Sequence, residues 1–185
     1  MLRKRSLEEL NRPTVEEFHR QPKQPVCLVL DNVRSLANVG AAFRTADAFA
    51  IEKLWLCGIT GTPPHKELQK TALGATESVA WSHAPHTPAL LRELKAQGWR
   101  IVAVELADGA VPLQQFRFSP TEKIALVFGH EVFGVSDEAL AECTDAVEIP
   151  QTGTKHSLNV SVTVGIVLWE IIRHTPPPAA PRSHP

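Results

Sequence analysis

Little in this chain is in excess, and the shortages narrow what it can be. Its 185 residues include only three cysteines, Cys27, Cys57 and Cys143. Their odd number and scattered positions exclude a disulfide framework, and no pair has the spacing of a zinc or redox motif. Cys27 and Cys57 fall in apolar, strand-like runs, which suits buried, reduced thiols in a cytosolic protein. The formal net charge is −1, so any nucleic-acid contact must come from a local basic patch. On charge alone, an enzyme of small molecules is the competing expectation. No apolar run approaches the roughly 20 residues that cross a bilayer. The basic opening Met1-Leu2-Arg3-Lys4-Arg5 has no apolar stretch behind it and does not read as a secretory signal. No GxGxxG and no acidic ribose-binding residue stands out either, so a nucleoside would have to be held by backbone groups.

What is present is an ordinary soluble composition, 43% hydrophobic and 21% charged, in a length that suits one domain with a sizeable core. Residues 1–25 are polar. Six Lys and Arg stand there against four Glu, enough for an arm that touches RNA phosphates, though a solvated arm is the plainer reading. Ser6 with Glu9 and Thr14 with Glu17 have capping-box spacing, so two short helices, or one broken by Pro13, are expected.

From Val26 onward strands and helices alternate. The continuous apolar run 26–30 reads as a strand buried on both faces, and 53–57, 79–81, 100–105, 124–128 and 146–149 read as further strands. Helical spacing marks 38–50, with Val39, Ala42, Phe43, Ala46 and Phe49 on one face, then 66–73, a helix opened by Thr87-Pro88, a short one capped by Ser136, and 159–173. Residues 106–121 read as an irregular connection, and the Pro-rich 176–181 as an extended tail. The pattern predicts an α/β domain, a mostly parallel sheet flanked by helices, over 26–174. It lies between a basic arm, 1–25, and a tail, 175–185.

The stretch 149–170 has two unlike halves. Through Asn159 it is polar, with Pro150 and Gly153; after that it is apolar nearly throughout. A polar loop running into a buried helix leaves unpartnered N–H groups at the join, where Ser157, Leu158 and Asn159 stand. Three segments then match one family in order. Asn38-Val39-Gly40-Ala41-Ala42-Phe43-Arg44-Thr45-Ala46-Asp47-Ala48-Phe49, Phe128-Gly129-His130-Glu131-Val132-Phe133-Gly134-Val135-Ser136, and 149–170 resemble the three motifs of the SpoU (TrmH-type) RNA 2′-O-methyltransferases, of the SPOUT class. The likeness spans roughly 26–173. Its departures are His130 where the family has Asn, Val132 where it has Gly, and Gln151 where Met is common.

The resemblance implies several things that periodicity does not show. The C-terminal part, about 127–172, would be tucked through a loop as a deep trefoil knot. S-adenosylmethionine would sit in it against Gly129, Ile149 and Leu158, with Val104, Glu105 and Leu106 on the adenine side, and no metal would be needed. Arg44, Asn38, Glu131, Ser157 and Asn159 would be the catalytic set, with Glu131 orienting Arg44 or the ribose. Family proposals make this Arg a general base, but a guanidinium rarely gives up its proton. Arg44 is better cast as a clamp on the substrate phosphate that stabilises the developing alkoxide. Without the resemblance, Arg44 could pair with Asp47, Glu131 could be a surface carboxylate, and Asn159 a plain N-cap.

RNA contacts would fall on Arg34, Arg44, Lys66, Lys70 and Lys155. Family members form homodimers through the knot, for which the apolar face of Val164, Val167, Leu168 and Trp169 is available, as it is for core. The expectation is a cytoplasmic RNA ribose 2′-O-methyltransferase without a membrane partner. tRNA is the first choice of substrate and rRNA the second. An RNA-binding module that has lost catalysis is the alternative of another class.

Overall fold

The computed structural model describes residues 2–6 and 8–173. The expected Pro-rich tail lies outside them. The basic arm holds a 3-10 turn, Glu8–Leu10, and helix α1, Val15–Arg20. Both capping boxes form: Ser6 N–H donates to Glu9 at 2.8 Å and Thr14 N–H to Glu17 at 2.7 Å. The arm is docked as well as solvated, since Phe18 is buried and the His19 ring meets the Glu77 carbonyl at 2.9 Å.

Seven strands follow: β1 Gln24–Asp31, β2 Ile51–Cys57, β3 Trp81–Ala84, β4 Arg100–Val104, β5 Val111–Pro112, β6 Ile124–Phe128 and β7 Asp145–Glu148. They form one sheet in the order β3-β2-β1-β6-β4-β7-β5, and every pairing is parallel. Helices α2 (Leu36–Ala48), α3 (Lys66–Ala72), α4 (Ala75–Ser78), α5 (Thr87–Ala96), α6 (Asp137–Leu140) and α7 (Val160–Ile172) cover it. Strand β1 shows why its sequence is apolar without a break. Val26, Leu28 and Leu30 pack with Phe43 of α2, Leu68 of α3 and Leu168 of α7. Cys27 and Val29 point the other way, to Leu91 of α5 and Ala139 of α6. A parallel sheet covered on both faces needs both sets.

Several boundaries differ from expectation. Helix α2 starts at Leu36, capped by the Ser35 hydroxyl, and ends before Ala50, which sits at φ 49°. The strand expected at 79–81 is β3, displaced because Val79 closes α4. The connection 106–121 is not wholly irregular: it supplies β5, which pairs with β7, and a 3-10 turn, Leu113–Gln115. Neither Thr87 nor Ser136 caps a helix with its side chain; both hydroxyls donate instead to Asp31, at 2.5 and 2.7 Å. The face expected around α7 also divides. Val164, Val167 and Leu168 are core, whereas Trp169 is 60% exposed.

Candidate active site

The carboxyl ends of parallel strands are where α/β folds bind ligands. Here the end of β4, the turn after β6 and the stretch from β7 into α7 enclose a cavity of about 440 Å³, a size that suits a small organic ligand. Val104, Glu105, Leu106, Gly129, Ile149 and Leu158 all line it, as do Glu131, Ser157 and Asn159. Asn38 and Arg44 do not.

The turn after β6 is tightly folded. His130 and Gly134 exchange N–H···O bonds, both 2.9 Å, and Gly134 takes φ 69°. A Cβ on Gly129 would lie 1.9 Å from the Gly134 carbonyl carbon, so only glycine lets the turn close. His130 Nδ1 accepts from the Val132 N–H at 2.9 Å and from that of Phe133 at 3.4 Å. An Asn side chain performs this kind of turn bonding through its oxygen; the ring nitrogen does it here. Val132 is not among the residues at positive φ, so a β-branched residue is tolerated there. Glu105 braces the turn from outside, accepting from the Val135 N–H at 2.8 Å and the Leu106 N–H at 2.9 Å.

Glu131, expected to orient Arg44 or the ribose, has its carboxylate bonded to the start of α2. Its carboxylate accepts from the Arg34 N–H at 3.1 Å, the Ser35 N–H at 2.9 Å and the Asn38 side-chain amide at 3.0 Å. Partial burial opposes the charge, but the backbone donors and the Asn38 amide outweigh it and hold the Glu131 carboxyl below the usual range. Asn38 passes the link on: its oxygen accepts from Asn159 Nδ2 at 3.1 Å. Asn159 is both cap and site residue, because its own oxygen accepts from the Ser161 N–H at 2.9 Å. Glu131, Asn38 and Asn159, from the three sequence motifs, thus form one hydrogen-bonded chain beside the cavity.

Arg44 stands apart. It is exposed, and its side chain has no hydrogen bond or ion pair among the described residues. Six positions along a helix put it about 9 Å up the axis from Asn38 and on another face. It does not pair with Asp47, which accepts from the Ser78 hydroxyl at 2.5 Å. Arg34, Lys66 and Lys155 are exposed; Lys70 pairs with Glu67 at 2.7 Å. Sequence reasoning gave no role to Asp31 or Phe133. Asp31 gave a signal only as a charge ending an apolar run. An exposed Phe cannot be told from a core one by its letter.

Electrostatics select the ligand. Glu105, Glu131 and Glu148 line the cavity and no Lys or Arg does. Such a site favours a cation and repels phosphate. Among the turn and loop hydrogen bonds of the described residues, none uses the amides of Gly129, Ile149 or Leu158, so they are available to a ligand. Apolar Val104, Leu106, Val147 and Leu158 suit a flat heterocycle. S-adenosylmethionine, a nucleoside with a positively charged sulfur, fits these walls.

A parallel α/β sheet with an acidic cavity at its strand ends, closed by its own C-terminal segment, defines a nucleoside-binding α/β domain. Comparison with known proteins makes this specific: the chain belongs to the SpoU rRNA Methylase family, whose model matches residues 25–169. It is 32% identical over 165 residues to a tRNA (guanosine(18)-2′-O)-methyltransferase of Thermus thermophilus, covering 89% of this chain and 83% of the relative. It is 31% identical to a 23S rRNA (guanosine-2′-O-)-methyltransferase of Vibrio parahaemolyticus, covering 89% of this chain and 66% of the relative. Among solved structures, the A. aeolicus TrmH/SpoU tRNA modifying enzyme superposes with a TM-score of 0.76 at 30% identity, over 86% of this chain and 79% of that one. The AdoMet-bound rRNA methyltransferase from Sinorhizobium meliloti gives 0.77 at 29%, over 89% and 61%.

Proposed function

We propose that this protein transfers a methyl group from S-adenosylmethionine to a ribose 2′-hydroxyl of structured RNA. tRNA is its first substrate and rRNA the second reading; relatives of both kinds resemble it to a similar degree. The observation that carries the reading is the convergence of residues 104–106, 129–134, 147–149 and 156–160 on one acidic cavity, with the Glu131–Asn38–Asn159 chain at its edge. When bound, S-adenosylmethionine supplies an electrophilic methyl group. The protein's part is alignment and charge placement. Gly129, Ile149 and Leu158 hold the nucleoside. The hydrogen-bonded chain fixes the α2 end against the cavity, and Ser157 and Asn159 face the incoming ribose. Arg44 clamps the phosphate and steadies the alkoxide as the hydroxyl proton leaves. Phosphates stay outside the acidic cavity, on Arg34, Lys66 and Lys155. The inactive-module alternative rested on His130 and Val132, and the turn accommodates both.

The working form we propose is a homodimer. Helices α2 and α7 lie side by side, tied at one end by Asn38 and Asn159 and at the other by Phe49 and Trp169, ring centroids 6.4 Å apart. Their outer surface carries Val162, Ile166 and Trp169, exposed by 50%, 38% and 60%, beside the small Ala37, Ala41 and Ala48. A second copy packed there covers the apolar stripe and sets Arg44 at the joint between chains. Residues 127–172 would carry the knot; the insertion of β6 between β1 and β4 is compatible with such a path. A cytoplasmic setting accords with the three cysteines, which are free thiols, Cys27 and Cys57 buried. Among the described residues no helix is long and apolar enough to cross a membrane.

The test is methylation of total RNA with labelled cofactor, followed by nuclease mapping. Wild type should mark one or a few riboses. Arg44→Ala should bind the cofactor in calorimetry yet lose transfer; full activity in that variant would remove Arg44 from the mechanism.

A further inference from the structure

The rim of the cavity carries an aromatic group that the transfer chemistry leaves without a task. Phe133 is 83% exposed and neighbouring Val132 is 76% exposed, yet both line the cavity. Phe133 is not on a loose loop. Its N–H is held by His130 Nδ1, the turn is closed by the paired His130 and Gly134 backbones, and its ring lies 4.8 Å from the His130 ring, tilted by 35°. A rigid, outward-facing aromatic pair is a preformed stacking surface. A ribose can present its 2′-hydroxyl to an enclosed donor only if its nucleotide is drawn out of the RNA stack. The base then needs a new partner, and RNA-binding proteins supply one with Phe, Tyr, Trp or His. The acidic cavity repels phosphate but not the uncharged face of a base, so the rim is where that base can rest.

We propose that Phe133, backed by His130, is the platform on which the base of the target nucleotide stacks. The assignment rests on the RNA methyltransferase reading above. Phe133 is a positioning residue: it sets the ribose, and takes no part in the transfer.

The experiment uses the full chain, as wild type, Phe133→Ala and Phe133→Trp. Fluorescence anisotropy reads affinity for end-labelled bulk tRNA, with ribosomal RNA as a second probe. Calorimetry reads S-adenosylmethionine, and light scattering reads the assembly. Stacking is worth ~1–3 kcal/mol per base, so Phe133→Ala should weaken RNA binding about tenfold. KM for RNA should rise by the same factor, with cofactor affinity unchanged, and Phe133→Trp should restore both. Unchanged affinity for both RNAs in Phe133→Ala overturns the proposal. A parallel loss of cofactor affinity overturns it by making Phe133 a cofactor wall, and dissociation of the assembly overturns it by making Phe133 a subunit contact. If wild type binds RNA but transfers no methyl, the activity reading fails while anisotropy still decides Phe133.

Discussion

Asp31 ends β1 as an apolar run gives way to charge, and it is only 1% exposed. Its carboxylate accepts from Thr87 and Asn32 side chains on one oxygen and from the Ser136 N–H and hydroxyl on the other. Two hydroxyls that look like helix caps in sequence are thereby turned inward. Their partner lies 56 and 105 residues away, which no local pattern reveals. Asp31→Asn puts a donor among these donors and should lower stability by about 3 kcal/mol, read from urea unfolding. Glu131 has the same design at the site, so Glu131→Gln should cost about 1–3 kcal/mol and lower transfer, read from the same curves and the labelled-methyl assay. Its pH dependence has a definite sign. The folded carboxyl titrates below its unfolded value, so its stabilisation is present above the unfolded value, about 4.3, and is lost as pH falls through the lower folded one. The stability gap between wild type and Glu131→Gln should therefore be steady near pH 6–7 and close only below about pH 4.

Helix α7 shows what a sequence can and cannot say about an element. Its apolar run predicts a buried helix, and Asn159 as its cap is correct. Which apolar residues are core was not legible, because nearly all of them are apolar and the helical stripe has no polar edge to mark it. The fold separates Val164, Val167, Leu168 and Ile171, all buried, from Val162, Ile166 and Trp169, all exposed. The two stripes should respond oppositely. Leu168→Ala should cost about 2–5 kcal/mol through a core cavity, measured by thermal or urea unfolding. Ile166→Glu with Trp169→Glu should leave each chain folded by circular dichroism but yield monomers in light scattering; a dimer surviving that pair would move the interface elsewhere. Helix α2 teaches the companion lesson. Asn38 and Arg44 share a motif, but six residues of helix separate their faces, so only Asn38 joins the hydrogen-bonded chain of a single subunit.

At the scale of the molecule, binding should be visible as stability and as salt dependence. S-adenosylmethionine at a hundred times its Kd should add about 2.7 kcal/mol to unfolding, seen as a rise in Tm; no rise would mean that the acidic cavity is not its site. RNA methylation below saturation should fall as salt rises, because phosphate contacts release counterions; a small-molecule reaction would be indifferent. Periodicity and composition were enough for the α/β class and for six of the seven strands, β3 with displaced bounds; the three motif segments came from the family resemblance. Strands buried on both faces must be apolar throughout, and backbone-lined pockets need glycine and cap residues at set places. The sequence could not determine β5, two residues long and defined by pairing with β7. It took the folded chain to bond Glu131 to the start of α2, to bring three glutamates and no Lys or Arg to the cavity lining, and to leave Phe133 exposed. Each depends on which distant backbone comes within hydrogen-bond reach, and that is set by sheet order rather than by neighbours in the chain.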